Sequence, residues 1–247
     1  MKTPAPIKTA MVLAAGLGTR LRPLTETLPK PLVPVAGQTL LDWALDRLTD
    51  AAIETAVVNL HHLGDKIEEH LKDRRRPKIV FSREAERLET GGGIARALPH
   101  LGAGPFFSVN ADVLWLNGPN DALARLAGNW NDEAMDGLLL LHESVFAFGY
   151  DGDGDFLMDG NGRLTRRPER ELAPYLFTGV QILHPRLFKD APVGKFSLNV
   201  LYDRAAEAGR LYGLVHDGEW FHVGTAEGLV EAEDYMRVRY PVSKRRR

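Results

Sequence analysis

Leu13-Ala14-Ala15-Gly16-Leu17-Gly18-Thr19-Arg20-Leu21-Arg22-Pro23-Leu24-Thr25, continued by Leu28-Pro29-Lys30-Pro31-Leu32-Val33-Pro34-Val35, is the stretch on which the reading of this 247-residue chain turns. The apolar run Ala10 to Leu13 at its head reads as a first β-strand. Small residues follow, where backbone N–H groups can approach an anion, and Arg20, Arg22 and Lys30 add positive charge. Such a loop at the carboxyl end of a strand suits a polyphosphate. The dinucleotide fingerprint is excluded, because the third small residue it needs is Leu21. The P-loop is excluded as well, because a single residue separates Gly16 from Gly18 and no Gly-Lys-Ser/Thr follows.

Outward from this loop, strand and helix patterns alternate. Leu40, Leu41, Ala44, Leu45 and Leu48 recur at helical spacing behind Thr39, a plausible cap. Thr55 to Leu60 and Lys78 to Ser82 read as strands, with a helix over Asp65 to Lys72 between them. A helix opens at Gly92, a strand covers Phe106 to Asn110, a helix Asp121 to Trp130, and a strand Gly137 to His142. This order predicts an α/β fold with a Rossmann-like, mainly parallel mixed sheet and helices on both faces. Ligands then lie beyond the carboxyl ends of the strands, where Gly16–Arg20, Asn59, Ser82 and Asn110–Asp112 fall. After His142 the rhythm shortens to strands at Gly154–Met158, Arg163–Thr165 and Phe177–Leu183, a helix over Phe196–Ala208, a strand at Leu211–His216 and a closing amphipathic helix at Ala226–Val238.

Composition narrows the choice of function. The length suits a single domain over residues 1–247. A net charge of −2 suggests neither a nucleic-acid nor a membrane partner, and the absence of cysteine excludes disulfides, thiolate zinc sites and cysteine nucleophiles. No apolar run approaches the roughly 18 residues of a spanning helix. Met1 to Lys8 lacks the apolar segment of a signal peptide, so a cytoplasmic protein is expected. Lys244-Arg245-Arg246-Arg247 reads as a solvated terminus. Asp151-x-Asp153-x-Asp155 imitates a calcium loop but fails it, with Phe156 at the glycine position and Gly162 at the final glutamate position.

Further motifs accompany the glycine loop: Val58-Asn59-Leu60-His61-His62-Leu63-Gly64, Leu88-Glu89-Thr90-Gly91-Gly92-Gly93-Ile94, Val109-Asn110-Ala111-Asp112 and Trp220-Phe221-His222-Val223-Gly224-Thr225. In this combination the chain resembles the sugar-1-phosphate nucleotidyltransferases, which join a nucleoside triphosphate to a sugar 1-phosphate and release pyrophosphate. The resemblance runs from about residue 8 to 235. It implies a glycosyltransferase-A-like fold, with residues 8–142 as the nucleotide-binding half and 143–238 as the sugar-binding half. The Glu89–Gly93 version is most similar to bacterial N-acetylmuramate-1-phosphate uridylyltransferases; mannose- and heptose-1-phosphate guanylyltransferases share much of it. The expected partners are therefore a nucleoside triphosphate and a sugar 1-phosphate, with the chain a monomer or small homo-oligomer.

The same resemblance distributes roles. Leu13, Ala14, Ala15, Gly16, Gly18 and Thr19 would form the triphosphate loop, and Ser82, Thr90, Gly91 and Gly92 would surround the base. Arg20, forked and permanently charged, suits the departing pyrophosphate. Lys30, aimed by Pro29 and Pro31, would stand between the α-phosphate and the sugar phosphate. Asp112 is the candidate ligand for Mg²⁺, which takes hard oxygen donors. The second metal position, an aspartate in the family's Trp-x-Asp-x-Gly-Thr, is His222; imidazole is a poor Mg²⁺ ligand and opens the alternatives of a Mn²⁺-like ion, a phosphate contact, or a nucleotide-sugar-binding protein with weakened catalysis. Asn110, Glu143, Gly154, Arg167, Thr178, Gly179 and Asn199 are the candidate sugar contacts. Arg167 stands near the family's Glu-Lys-Pro lysine, as a sugar-phosphate contact or an exposed basic turn.

Overall fold

The computed structural model describes residues 6–239; the basic tail Lys244–Arg247 lies outside them. The first strand, β1 (Thr9–Leu13), is buried along its middle, as a strand covered on both faces must be. The glycine loop leads through a single helical turn, α1 (Leu24–Thr27), to a small hairpin of β2 (Pro34–Val35) and β3 (Gln38–Thr39). Its two turn residues, Ala36 and Gly37, have φ of 55° and 77°, the left-handed pair that tight hairpins use. The helix α2 (Leu40–Asp50) starts where its cap predicts: Thr39 Oγ1 accepts from the Asp42 amide at 3.1 Å. The chain continues through β4 (Thr55–Leu60), α3 (Gly64–Leu71), β5 (Lys78–Arg83), α4 (Glu89–Leu101) and β6 (Phe106–Asn110). These four strands lie parallel in the order β5-β4-β1-β6, so their carboxyl ends share one edge.

After β6 come β7 (Leu114–Leu116), α5 (Ala122–Asn129) and β8 (Gly137–Glu143). A short antiparallel pair, β9 (Phe156–Met158) and β10 (Leu164–Arg166), precedes β11 (Tyr175–Leu183). This last strand enters between β6 and β8, antiparallel to both, and makes the nine-stranded sheet mixed. The chain ends with α6 (Asn199–Glu207), β12 (Leu211–Val215) parallel to β8, β13 (Glu219–Phe221) and α7 (Ala226–Arg239).

Side-chain alternation sends neighbours to opposite faces of the sheet. Val12, Val58, Leu138 and Leu140 pack with Leu41 and Leu45 of α2 and Leu123 and Leu126 of α5. Met11, Val57, Leu139 and Leu141 pack with Ile94 and Ala97 of α4 and Leu201 and Ala205 of α6. Helices thus cover both faces. No helix among the described residues is long and apolar enough to cross a membrane.

Several elements differ from the sequence reading. The helix α4 begins at Glu89 rather than Gly92, so Thr90 and Gly91 join its first turn. Glycine is a poor helix former in isolation, but here neighbouring groups occupy the space that side chains would need. The helix α6 begins at Asn199 rather than Phe196, because Phe196 and Leu198 pair with the start of α4 instead. The strands β7 and β13, unread in the sequence, pair antiparallel across more than 100 residues, a contact no local pattern signals.

Candidate functional site

The glycine loop is closed by its own geometry. Gly18 has φ +61°, and a Cβ there would meet Thr25 Cγ2 at 3.0 Å and Lys30 Cβ at 3.1 Å. Thr25 Oγ1 donates to the Gly18 carbonyl at 2.7 Å, folding the stretch back on itself. That fold brings Lys30 beneath the loop, at the start of a 3-10 turn between Pro29 and Pro31. Lys30 is only 9% exposed, and a buried ammonium needs a partner. Its Nζ donates to Asp112 Oδ2 at 2.7 Å, just beyond the end of β6.

Two cavities open at this edge of the sheet. The larger, about 390 Å³, is lined by Leu13, Ala14, Ala15, Gly16 and Gly18 of the glycine loop together with Arg87, Glu89, Thr90 and Ser197. The smaller, about 230 Å³, is walled by Arg20, Tyr150, Asp155, Gly179, Trp220 and His222. Lys30, Asn110 and Asp112 line both, so the ion pair forms their common wall.

The structure gathers most of the expected residues there, but not all. Leu13, Ala14, Ala15, Gly16, Gly18, Thr90, Asn110 and Asp112 line the larger cavity, and Asn110 and Gly179 the smaller. Arg20 lines the smaller cavity and not the larger, with Nη1 3.4 Å from His222 Nε2. Thr19 is exposed in the turn beside it. The Gly91 and Gly92 amides both donate to the Phe196 carbonyl, and Thr90 Oγ1 accepts from Leu198 N, so these groups clamp the 194–198 segment. Ser82 is buried on β5 and lines neither cavity.

On the sugar side five expectations fall outside the cavity walls. Thr178 is fully buried and donates to Leu140 O at 2.7 Å. Arg167 donates to the carbonyls of Gly154, at 3.0 Å, and Glu171, at 2.7 Å, and so fastens a loop rather than facing either cavity. Gly154, at φ +77°, is pinned against Ala173, whose carbonyl would lie 2.1 Å from a Cβ. Glu143 ends β8, and Asn199 is exposed at the start of α6. Side-chain direction, which short motifs do not encode, turns Thr178 and Arg167 toward backbone carbonyls. Conversely, Asn59, Arg87, Glu89 and Ser197 in the larger cavity, and Tyr150, Asp155 and Trp220 in the smaller, were not assigned site roles from sequence. Asn59 carried a signal in its place at a strand end, and Glu89 and Trp220 stood inside quoted motifs; the others carried none.

Burial, with the Arg20 and Lys30 cations beside it, pushes the His222 pKa down and favours the neutral imidazole. The ring lies over Gly224, where a Cβ would sit 2.1 Å from Nε2. The Tyr150 hydroxyl is pushed up by burial and then by Asp155, and accepts from the Gly154 amide at 3.0 Å. Among the described residues no group of three or more His, Cys, Asp or Glu could hold a metal by itself. Asp112 fits Mg²⁺ nonetheless, because that ion binds through one or two carboxylates plus phosphate oxygens. His222 fits it less well: Nε2 faces the Arg20 guanidinium, and imidazole is the softer donor.

A family model described as Nucleotidyl transferase matches residues 9–238. The N-acetylmuramate alpha-1-phosphate uridylyltransferase of Caulobacter vibrioides is 44% identical over 231 residues, covering 92% of this chain and 96% of that one. The protein of the same name from Neisseria meningitidis serogroup B is 38% identical, over 91% of this chain and 96% of its own. A mannose-1-phosphate guanylyltransferase catalytic subunit beta from Drosophila pseudoobscura pseudoobscura is 30% identical over 87% of this chain and 58% of its own. A solved UDP-glucose pyrophosphorylase with UDP-glucose superposes with TM-score 0.75 over 94% of this chain and 100% of that one, at 20% identity, which speaks for the fold.

Proposed function

This chain belongs to the nucleotidyl transferase family, and we propose that it transfers a uridylyl group from UTP to N-acetylmuramic acid 1-phosphate, releasing pyrophosphate. The observation that carries this reading is the Lys30–Asp112 pair on the common wall of two cavities. One cavity suits the nucleotide and the other the acceptor. The names of the relatives support the choice of base and sugar.

An oxygen of the acceptor phosphate attacks the α-phosphorus. The new P–O bond forms as the bond to the β-phosphate oxygen breaks, and pyrophosphate leaves with its electron pair. The nucleophile is already an anion at neutral pH, so no general base is needed. The barrier lies in bringing two anions together. Lys30, at the shared wall, screens that repulsion and holds the α-phosphate. Gly16 faces open space and lets the backbone approach the triphosphate. Arg20, an exposed and long side chain, exchanges His222 for the leaving pyrophosphate. Asp112 would hold Mg²⁺, which would supply further charge stabilisation there. Asn110, which lines both cavities, holds a hydroxyl of the nucleotide ribose or of the sugar.

Residues 8–142 supply most of the nucleotide side and 143–238 most of the acceptor side, within one domain. A cytoplasmic setting, where nucleoside triphosphates and Mg²⁺ are at hand, accompanies this reading, as does a monomer or small homo-oligomer. Pyrophosphate release, measured for four nucleoside triphosphates against several sugar 1-phosphates, tests it. UTP with N-acetylmuramic acid 1-phosphate is expected to give the highest kcat/KM, lost with EDTA and restored by Mg²⁺. Preference for GTP would transfer the chain to the guanylyltransferases, and no turnover with any pair would overturn the reading.

A further inference from the structure

Glu84 is 6% exposed, directly after β5, and none of its side-chain partners is a cation. Its Oε1 accepts from Asn59 Nδ2 at 2.7 Å, and its Oε2 accepts from the Leu88 amide at 2.9 Å. The other end of the Asn59 amide, Oδ1, accepts from the Ala14 amide at 2.7 Å. A continuous chain of three hydrogen bonds therefore runs from the glycine loop, through Asn59 and Glu84, to the residue before α4. Ala14 and Asn59 line the larger cavity, as do Glu89 and Thr90, the residues that follow Leu88. Gly93 leaves the room for it: a Cβ there would stand 2.8 Å from both Asn59 Nδ2 and Glu84 Oε1.

We propose that Asn59 and Glu84 are positioning residues for nucleotide binding, forming a buried relay that sets the distance between the glycine loop and the start of α4. The proposal rests on the larger cavity being the nucleotide site. The relay has a fixed parity. Two N–H donors arrive at Glu84, so only a group with two acceptor oxygens satisfies both. One donor and one acceptor face Asn59, so only one orientation of its amide serves. Buried polar groups left facing like partners are costly, which gives the relay a rigid register rather than a loose contact. The Ala14 amide, spent on Asn59, takes no part in holding phosphate; it fixes where the following residues, Ala15 to Gly18, present theirs.

Parity makes a rescue test possible. Glu84→Gln brings an amide against the Asn59 amide, donor to donor. Asn59→Asp brings a carboxylate against the Glu84 carboxylate. In the double variant the carboxylate at position 59 accepts from Ala14 N and from the new amide at position 84, whose oxygen still accepts from Leu88 N. Each single change is expected to raise the KM for the nucleotide about tenfold with a smaller change in kcat, and the double variant to return within about threefold of the parent. Hydrogen exchange over residues 13–18 of the unliganded protein should speed up in each single variant and slow again in the double. Unchanged KM in the singles, or a double variant no better than the worse single, overturns the proposal. So does a parallel loss of thermal stability without the KM-against-kcat split. If the parent chain turns over no nucleotide, the nucleotide reading fails and takes the relay's purpose with it. The exchange pattern still decides in that case whether the relay exists.

Discussion

Lys30 and Asp112 are 82 residues apart in the chain, yet Lys30 Nζ lies 2.7 Å from Asp112 Oδ2, on the wall common to both cavities. The pair joins the end of a loop threaded by two prolines to the end of β6. It sets a cation and a carboxylate where two phosphates would meet. Lys30→Ala and Asp112→Ala are each expected to lower kcat/KM by roughly 10²-fold or more, the scale of charge stabilisation at transferring phosphates. Far-ultraviolet circular dichroism should show both variants folded. Near-normal activity of Asp112→Ala would remove that residue from the reacting centre.

The Arg20–His222 contact gives a second expectation. His222→Asp puts a carboxylate beside the Arg20 guanidinium and holds it away from pyrophosphate. The KM for the triphosphate should rise several-fold, while His222→Gln, which keeps an acceptor, should change it little. A fall in the Mg²⁺ concentration needed for half-maximal rate in His222→Asp, with a higher kcat, would instead mark position 222 as a metal position.

Gly92 faces the Gly194 carbonyl, which a Cβ would approach to 2.2 Å. Backbone cannot rotate aside as a side chain can. Gly92→Ala is expected to destabilise the fold by about 1–3 kcal/mol and to displace the 194–198 segment from α4. A denaturant titration reads the first effect, and a raised nucleotide KM the second.

Arg167 separates two roles by kinetics. A direct contact to the acceptor phosphate would cost kcat heavily when removed. The observed bonds to Gly154 O and Glu171 O predict a milder result for Arg167→Ala: an acceptor KM raised several-fold, with kcat and the nucleotide KM within about twofold of the parent. Initial rates against each substrate decide between them.

Stability should fall on mild acidification. His216 is 5% exposed, and its Nε2 lies 3.0 Å from Leu116 O. Burial pushes its pKa down, helped by His142 and Arg125 and opposed by the Leu116 hydrogen bond and Asp217. His184 and His222 are shifted in the same direction, each chiefly by burial. The unfolded chain then takes up protons first as pH drops below about 6.5, the ordinary histidine value. The stabilising contribution is therefore complete above that value and is lost as pH falls toward the depressed folded pKa values. Thermal melting at pH values from about 7.5 to 5 should show this decline, and His216→Gln should make it shallower.

Much of this protein was legible in its residues because the controlling interactions are short-ranged. Thr39 caps α2 three residues away, and the stripe Leu40, Leu41, Ala44, Leu45 and Leu48 is buried as its spacing requires. The glycine loop and Lys30 are tied by contacts among Gly18, Thr25 and Lys30 themselves. Thr178 and Arg167 misled because each carries a polar group suited to a sugar or a phosphate. The structure gives those groups to backbone carbonyls. Tyr150 passed unnoticed, and Asp155 was read only as part of a failed calcium loop, because a polar turn looks alike whether or not it walls a cavity.

Local chemistry was enough for the parallel strands, the glycine-rich loop and the cations beside it, since apolar period, backbone freedom at glycine and the rigidity of proline act over a few residues. Tertiary packing settled which side chains face which cavity. It brought Arg20 to His222 across 202 residues, Lys30 to Asp112 across 82, and Ala14 to Asn59 across 45. The direction of a buried polar side chain depends on the one partner that satisfies it, and that partner is supplied by a distant strand end rather than by the neighbouring sequence.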